Sequence, residues 1–273
     1  MDLERTRLWL STHIFYHGDQ NRLIAELIPQ VAEAIGSTQL FFFLRYWDGG
    51  PHVRLRLLVE PDADIEQLES IVADITRIWF RNNPCDAITA TAYAHSARVL
   101  GRYEQVDYLP KMLPNCSVRT IPYRPERGRY GDGELLHRVE DHFVWSSQFA
   151  IEVLQKAPSR SSKMALAIRC GIETAKLCGI RLTGESVSMP SRLKVAHDRF
   201  NPSDVASQMW AHEIQSISRF IELSPNRPED ITPERVLNLL FHLFCNRIGV
   251  TIDDEAAVRR AAQEILELKN GVE

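Results

Sequence analysis

The chain has 273 residues, 44% of them hydrophobic and 25% charged, enough to bury a full core and unlike a disordered segment. A formal net charge of −4 leaves no basic excess to meet a phosphate backbone, which excludes a general nucleic-acid binder but not a local cationic pocket. The N-terminal MDLERTRLWLSTHIFYHGD has neither a basic n-region nor an apolar h-region, and no apolar run approaches the ~20 residues of a membrane span, so a cytoplasmic protein is expected.

Residues 8–17 (LWLSTHIFYH) read as a strand and 20–35 as an amphipathic helix despite Pro29. Strands follow at 39–47 and 52–59, joined through Asp48-Gly49-Gly50, a strong hairpin signal. A helix over 63–82 and a strand near 88–95 (ITATAYAH) complete a β-α-β-β-α-β order. That order predicts an α+β fold, a ferredoxin-like antiparallel sheet with helices on one face. Residues 99–131, with prolines at 110, 114, 122 and 125, show no sustained period. From 132 onward the chain reads as helices: 133–156, 161–178, 204–223, 233–247 and 253–269. Thr232-Pro233 and Thr251 with Asp253 and Asp254 are helix starts. The expected organisation is an α+β part over 1–131 and a helical part over 132–273, packed as one integrated domain.

The hairpin carries Arg45, Arg54 and Arg56 where a core strand would carry Val, Ile or Phe. Alternation places His52, Arg54 and Arg56 on one face, with Val53, Leu55 and Leu57 on the other. With the turn centred between Gly49 and Gly50, Trp47 is expected opposite His52 and Arg45 opposite Arg54. Like charges facing one another are destabilising. Such a face is either solvated or an anion pocket, because a guanidinium fork matches a carboxylate bidentately. Trp47 and Tyr46 would wall the pocket.

Two further stretches stand out. In VLNLLFHLFCNRIGV, residues 236–250, Asn238, His242 and Asn246 fall at i, i+4 and i+8 on an otherwise apolar helix. The stripe suggests a polar cleft, and histidine is the side chain whose ordinary pKa suits proton transfer near neutrality. A hydrogen-bonded structural histidine is the plain alternative. YRPERGRYGDGE, residues 123–134, holds Arg124, Arg127 and Arg129 between Tyr123 and Tyr130, either as a helix-entry loop or as a further cationic wall.

No phosphate loop, dinucleotide fingerprint, HExxH or Cys/His metal set occurs, and GESVSMP at 184–190 is not a G-x-S-x-G elbow. No cofactor and no metal are expected. The five cysteines (Cys85, Cys116, Cys170, Cys178, Cys245) form no C-x-x-C pair and are expected as buried free thiols.

WLSTHIFYHGD, FFFLRYWDGGPHVRLRL, YRPERGRYG and FHLFCNRIG, in this order, resemble the C-terminal domain of class I lanthipeptide (lantibiotic) dehydratases, which also occurs as free-standing proteins of thiopeptide-type bacteriocin biosynthesis. The resemblance runs from about residue 8 to residue 250. It implies a glutamate-eliminating lyase: glutamate carried on Ser or Thr of a ribosomally made precursor peptide is expelled, leaving dehydroalanine or dehydrobutyrine. The family's H-x-R-x-R arginines fall on Arg54 and Arg56, the arginine of its E-x-x-R-Y-G loop on Arg129 with Glu126 as the acid, and its histidine before C-N-R on His242. These four positions, Arg54, Arg56, Arg129 and His242, are the expected catalytic set. Arg45, His52, Trp47, Tyr130, Glu126 and Asn246 are expected to bind substrate.

The implied partners are the glutamylated precursor peptide and a separate tRNA-dependent glutamylation enzyme, since 273 residues leave no space for that module. Direct nucleic-acid contact and a membrane span are not expected, and a homodimer stays open. A pyridine synthase of thiopeptide pathways, joining two dehydroalanines in a formal [4+2] cycloaddition with leader elimination, is the competing activity on the same scaffold. A non-catalytic peptide-binding partner is the third reading.

Overall fold

Strand β1 (Leu8–Phe15) pairs antiparallel with both β3 (His52–Val59) and β4 (Ser117–Thr120), and β3 pairs with β2 (Phe41–Tyr46), giving the order β2-β3-β1-β4. This computed structural model describes residues 7–37, 40–182, 205–225 and 227–270. GESVSMP and the first residue of the expected 204–223 helix lie outside the described residues. The described chain falls into two compact units, Met1–Arg124 with Val144–Lys156, and Pro125–Phe143 with Ala157–Glu273.

In the first unit the sheet has the ferredoxin-like strand order, with α1 (Gln20–Ala34) and α2 (Ile65–Asn82) in the two crossovers. Asp19 starts α1 by accepting the Asn21 N–H at 2.8 Å, and Asp64 starts α2 by accepting that of Gln67 at 3.0 Å. The apolar alternation of β1 and β3 then has a purpose. Ile14, Phe43, Val53, Leu55 and Leu57 share one face and are completely buried, as are Leu23, Ile24, Leu27 and Ile28 of α1. Each such side chain stabilises the fold by roughly 1.5–3 kcal/mol. The edge strand β2 is not left open, because its Phe43 N–H donates to Ser147 Oγ at 3.1 Å.

The expected strand at 88–95 is instead the start of helix α3 (Ala90–Glu104). Its β-branched residues mimic a strand, but Thr89 is an N-cap whose hydroxyl accepts the Ala92 N–H at 3.1 Å. The fourth strand comes later, as the short β4 within the stretch that showed no period.

In the second unit, a single turn α4 (Arg127–Tyr130) leads into α5 (Gly133–Gln155), whose latter part belongs to the first unit. Helices α6 (Arg160–Cys178), α7 (Val205–Leu223), α8 (Pro233–Ile248) and α9 (Ile252–Asn270) follow, with α6 packed against both α7 and α9. Thr232 caps α8 on the Arg235 N–H at 3.2 Å with Pro233 in the first turn, as expected from the sequence. Leu237, Leu240, Phe241, Phe244 and Ile248 make α8 a core helix, against which Trp210 is buried completely. None of the described helices is long and apolar enough to cross a membrane.

Candidate functional site

The two strands of the hairpin are joined by the five residues 47–51, so the turn is centred on Gly49 itself rather than between the glycines. Gly49 and Gly50 both have positive φ, +77° and +110°, which a side chain would resist. This odd loop corrects the expected register. Tyr46 stands opposite His52, Leu44 opposite Arg54 and Phe42 opposite Arg56. Arg45 pairs with Val53, projects from the other face, and donates to Asn21 Oδ1 of α1 at 2.8 Å. A one-residue slip exchanges the faces. The hairpin therefore brings two arginines to its polar face, not three.

The neighbouring strands complete that face. β1 contributes Ser11, His13 and Phe15, which pair with Arg56, Arg54 and His52, and β4 places Arg119 opposite His13. His52 Nδ1–H donates to the Gly50 carbonyl at 2.9 Å, leaving Nε2 to accept from Arg54 Nε at 3.4 Å. The Arg54 guanidinium lies 3.3 Å from the centroid of the Tyr46 ring. Tyr46 and Trp47 are held in turn by one carboxylate, Glu104 of α3, at 3.1 Å to the hydroxyl and 2.7 Å to the indole N–H. Arg56 lies over the Tyr123 ring at 5.8 Å, beside a Trp9–Phe42–Tyr123 aromatic cluster.

The charges on this face act on one another. Burial, then Arg56, His52 and Arg54, push His13 down to about 2. Burial likewise pushes His52 down to about 3, against the Gly50 hydrogen bond and helped by Arg54 and Arg56. Burial, then the Glu104 carboxylate, lifts Tyr46 to about 12. The Arg54 guanidinium is half-buried, and no carboxylate is ion-paired with it among the described residues. Tyr46 and His52, which touch it, carry no negative charge near neutral pH, and the Asp48 and Glu104 carboxylates attract it without reaching ion-pair distance. A partly desolvated cation set by a ring face and an imidazole is arranged to receive an anion.

In the second unit, His242 of α8 is more than a stripe residue. Its Nδ1 lies 2.7 Å from Glu255 Oε2 on α9, and Arg259 holds Oε1 of the same carboxylate at 2.7 Å. Asn238 accepts from Arg259 Nη1 at 2.7 Å, so two of the three stripe residues belong to one network. Burial would raise the Glu255 carboxyl, but His242 and Arg259 outweigh it and hold it below the usual carboxylate range. The His242 side chain is 36% exposed. By contrast, His142, 3.1 Å from Glu213 in a similar His–Glu–Arg set with Arg138, has a side chain with no exposure at all. Only the former imidazole can meet a substrate.

Arg129 on α4 is ion-paired with Glu126 at 3.1 Å, both side chains about half exposed (53% and 51%). Tyr130 is buried with its ring 5.3 Å from Phe143, and burial raises its hydroxyl far above the usual range. Asn246 is half-buried on the His242 face of α8. The structure thus gathers His52, Arg54, Arg56 and Trp47 in the first unit. In the second, Glu126, Arg129 and Tyr130 lie together at and just before α4, and His242 lies on α8 with Glu255 as its partner.

Sequence reasoning missed His13, Glu104, Glu255 and Arg259. A signal existed for the last two: acid and base at i and i+4 on α9. None existed for Glu104, which only tertiary structure brings to the hairpin. No group of three or more His, Cys, Asp or Glu side chains suited to a metal ion occurs among the described residues.

No curated protein matches the sequence. The family model described as lantibiotic biosynthesis dehydratase C-terminal matches residues 9–266. The chain belongs to that family. Proteins of this family are biosynthetic enzymes, and solved structures share the fold. The pyridine synthase TbtD from thiomuracin biosynthesis matches with a TM-score of 0.74 and 15% identity over 98% of this chain and 100% of that one. The tRNA-dependent lantibiotic dehydratase MibB from Microbispora sp. 107891 matches with 0.61 and 18%, over 96% of this chain but 28% of that one. TsrL matches with 0.59 and 11%, over 97% and 96%.

Proposed function

We propose that the protein eliminates glutamate from glutamylated Ser or Thr of a precursor peptide, giving dehydroalanine or dehydrobutyrine. The observation that carries this reading is the Arg54 guanidinium, half-buried, fixed by Tyr46 and His52, and ion-paired with no carboxylate among the described residues, Asp48 and Glu104 acting on it only from beyond ion-pair distance. A glutamyl ester made through the α-carboxyl keeps a free side-chain carboxylate and, on elimination, releases a second. Arg54 and Arg56 hold those carboxylates, and Trp47 with His52 shapes the wall.

A base removes the Ser or Thr α-proton, the electron pair becomes the Cα=Cβ bond, and the Cβ–O bond breaks to release glutamate. The proton carrier is His242, oriented by Glu255 as in other base–carboxylate pairs. Arg129 is the guanidinium that the second unit contributes to the proposed set. Its ion pair with Glu126 is exposed, and such pairs contribute little, so exchanging Glu126 for a substrate carboxylate costs about 0–1 kcal/mol. The glutamyl group would come from a separate glutamylating enzyme.

A second reading is pyridine synthesis, favoured by the match to TbtD over the full length of both chains. It gives the unpaired charge of Arg54 no evident task, since its dehydroalanine substrates carry no glutamate. The test is Arg54→Ala. Under the elimination reading, turnover of a glutamyl-Ser peptide falls by about 10²–10³-fold, the scale of losing one charge-stabilising donor. Unchanged turnover would refute the assignment.

A further inference from the structure

A cavity of about 490 Å³ in the first unit is lined by Arg77, Phe80, Arg81, Cys85, Cys116 and Val118, among others. Cys85 sits in the loop after α2, and Cys116 immediately precedes β4. One side chain ties them together. Asn115 donates through Nδ2 to the Cys85 carbonyl at 3.1 Å and approaches Cys85 Sγ at 3.4 Å, while its Oδ1 accepts the Cys116 N–H at 2.9 Å. Cys85 and Cys116 thus line one cavity and share Asn115 as a common partner. Cys116 also holds a left-handed backbone, φ +54°, which a β-carbon disfavours. Both thiols are free and partly exposed, unlike the buried Cys170 and Cys245.

We propose that Cys85 and Cys116 form a redox-active dithiol site that closes to a disulfide by reaction with a small anionic disulfide such as oxidised glutathione. Asn115 Nδ2 points at Cys85 Sγ from 3.4 Å, which assigns the first attack to Cys85, while burial pushes the Cys116 thiol up. The Cys85 thiolate attacks one sulfur of the oxidant, whose S–S bond breaks to release one thiolate and leave a mixed disulfide. Cys116 then gives up its proton and attacks Cys85 Sγ, expelling the second thiolate. In total two protein thiols are oxidised and one oxidant disulfide is reduced to two thiols. Arg81, and Arg77 with its exposed ion-pair partner Asp74, line the approach, and Arg81 suits the oxidant's carboxylates.

The bond would close the segment between residues 85 and 116, which contains α3 and the strap after it. That segment grips the hairpin turn: the Tyr93 hydroxyl accepts the Gly49 N–H at 2.9 Å, Asp48 accepts the Leu109 N–H at 2.7 Å, and Leu113 N–H donates to the Gly49 carbonyl at 2.7 Å. Oxidation would therefore fix the base of the element that holds the turn.

The experiment incubates the full chain with oxidised glutathione, removes the reagent, alkylates, and reads intact and peptide masses. The expected result is a loss of two hydrogens, two fewer alkylated cysteines, and a cross-linked peptide pair containing Cys85 and Cys116. Cys85→Ser should prevent the mass loss. A stable glutathione adduct at either position, full alkylation of both, or a bridge between other cysteines would overturn the proposal. None of these outcomes depends on turnover, so the proposal stands or falls apart from the elimination reading.

Discussion

Among single residues, His242 and Glu255 form the pair most open to test. The carboxylate fixes which imidazole nitrogen carries the proton. Glu255→Gln keeps the shape and removes the charge. Elimination of glutamate should fall by about 10²-fold or more, within the usual range for acid–base catalysis. Steady-state turnover, with folding checked by circular dichroism, is the measurement, and a folded variant of unchanged rate would leave His242 structural.

His13 and His52 make a prediction about acid. In the folded protein they take up protons only near pH 2 and pH 3, whereas both ordinarily titrate at 6.5. Between those limits the unfolded chain binds more protons, so stability is full above pH 6.5 and falls on acidification. The slope is at most about 1.4 kcal/mol per pH unit for each histidine. Urea midpoints at pH 7 and pH 5 should show this loss, and His13→Gln should flatten the dependence. An unchanged slope in the variant would place the acid sensitivity elsewhere.

On the scale of elements, α3 and the strap are the parts the sequence concealed. A glutamate in the last turn of a helix is unfavourable beside the negative end of the helix dipole. Glu104 nevertheless stands there because it holds Tyr46 and Trp47, and Tyr46 carries Arg54. Glu104→Ala should release Tyr46 and lower kcat/KM for the glutamylated peptide by about ten-fold, the scale of one charged hydrogen bond. The loss should vanish when Arg54 is already alanine, because Glu104 acts through it. Equal losses in both backgrounds would show a general folding defect instead.

The hairpin was legible because Asp48-Gly49-Gly50 and the alternation of residues 52–59 are strong local signals. Its register was not, since an odd and an even loop share those glycines while reversing the faces. That single residue decided Arg45, which belongs to α1 rather than to the arginine face. Helix α8 was legible from Thr232-Pro233 and its apolar run. Helix α3 was not, because Thr89 and Thr91 suit a strand as well as a helix start, and Thr89 acts as a cap. His13 was hidden within strand β1, where only the pairing with β3 sets it among guanidiniums.

For the whole molecule, the family is settled by a match over residues 9–266, while the fold is shared by proteins of different activity. The arginine face lies in one compact unit and the His242–Glu255 pair in the other. Choosing between the activities therefore rests on chemistry at these residues. The most direct measurement is mass spectrometry of a glutamyl-Ser precursor peptide, or a stable thioester mimic, incubated with this protein alone. The account predicts loss of glutamate to give dehydroalanine, slowed by about 10²–10³-fold in Arg54→Ala. Survival of the glutamylated peptide, while a bis-dehydroalanine peptide loses water and its leader, would contradict it.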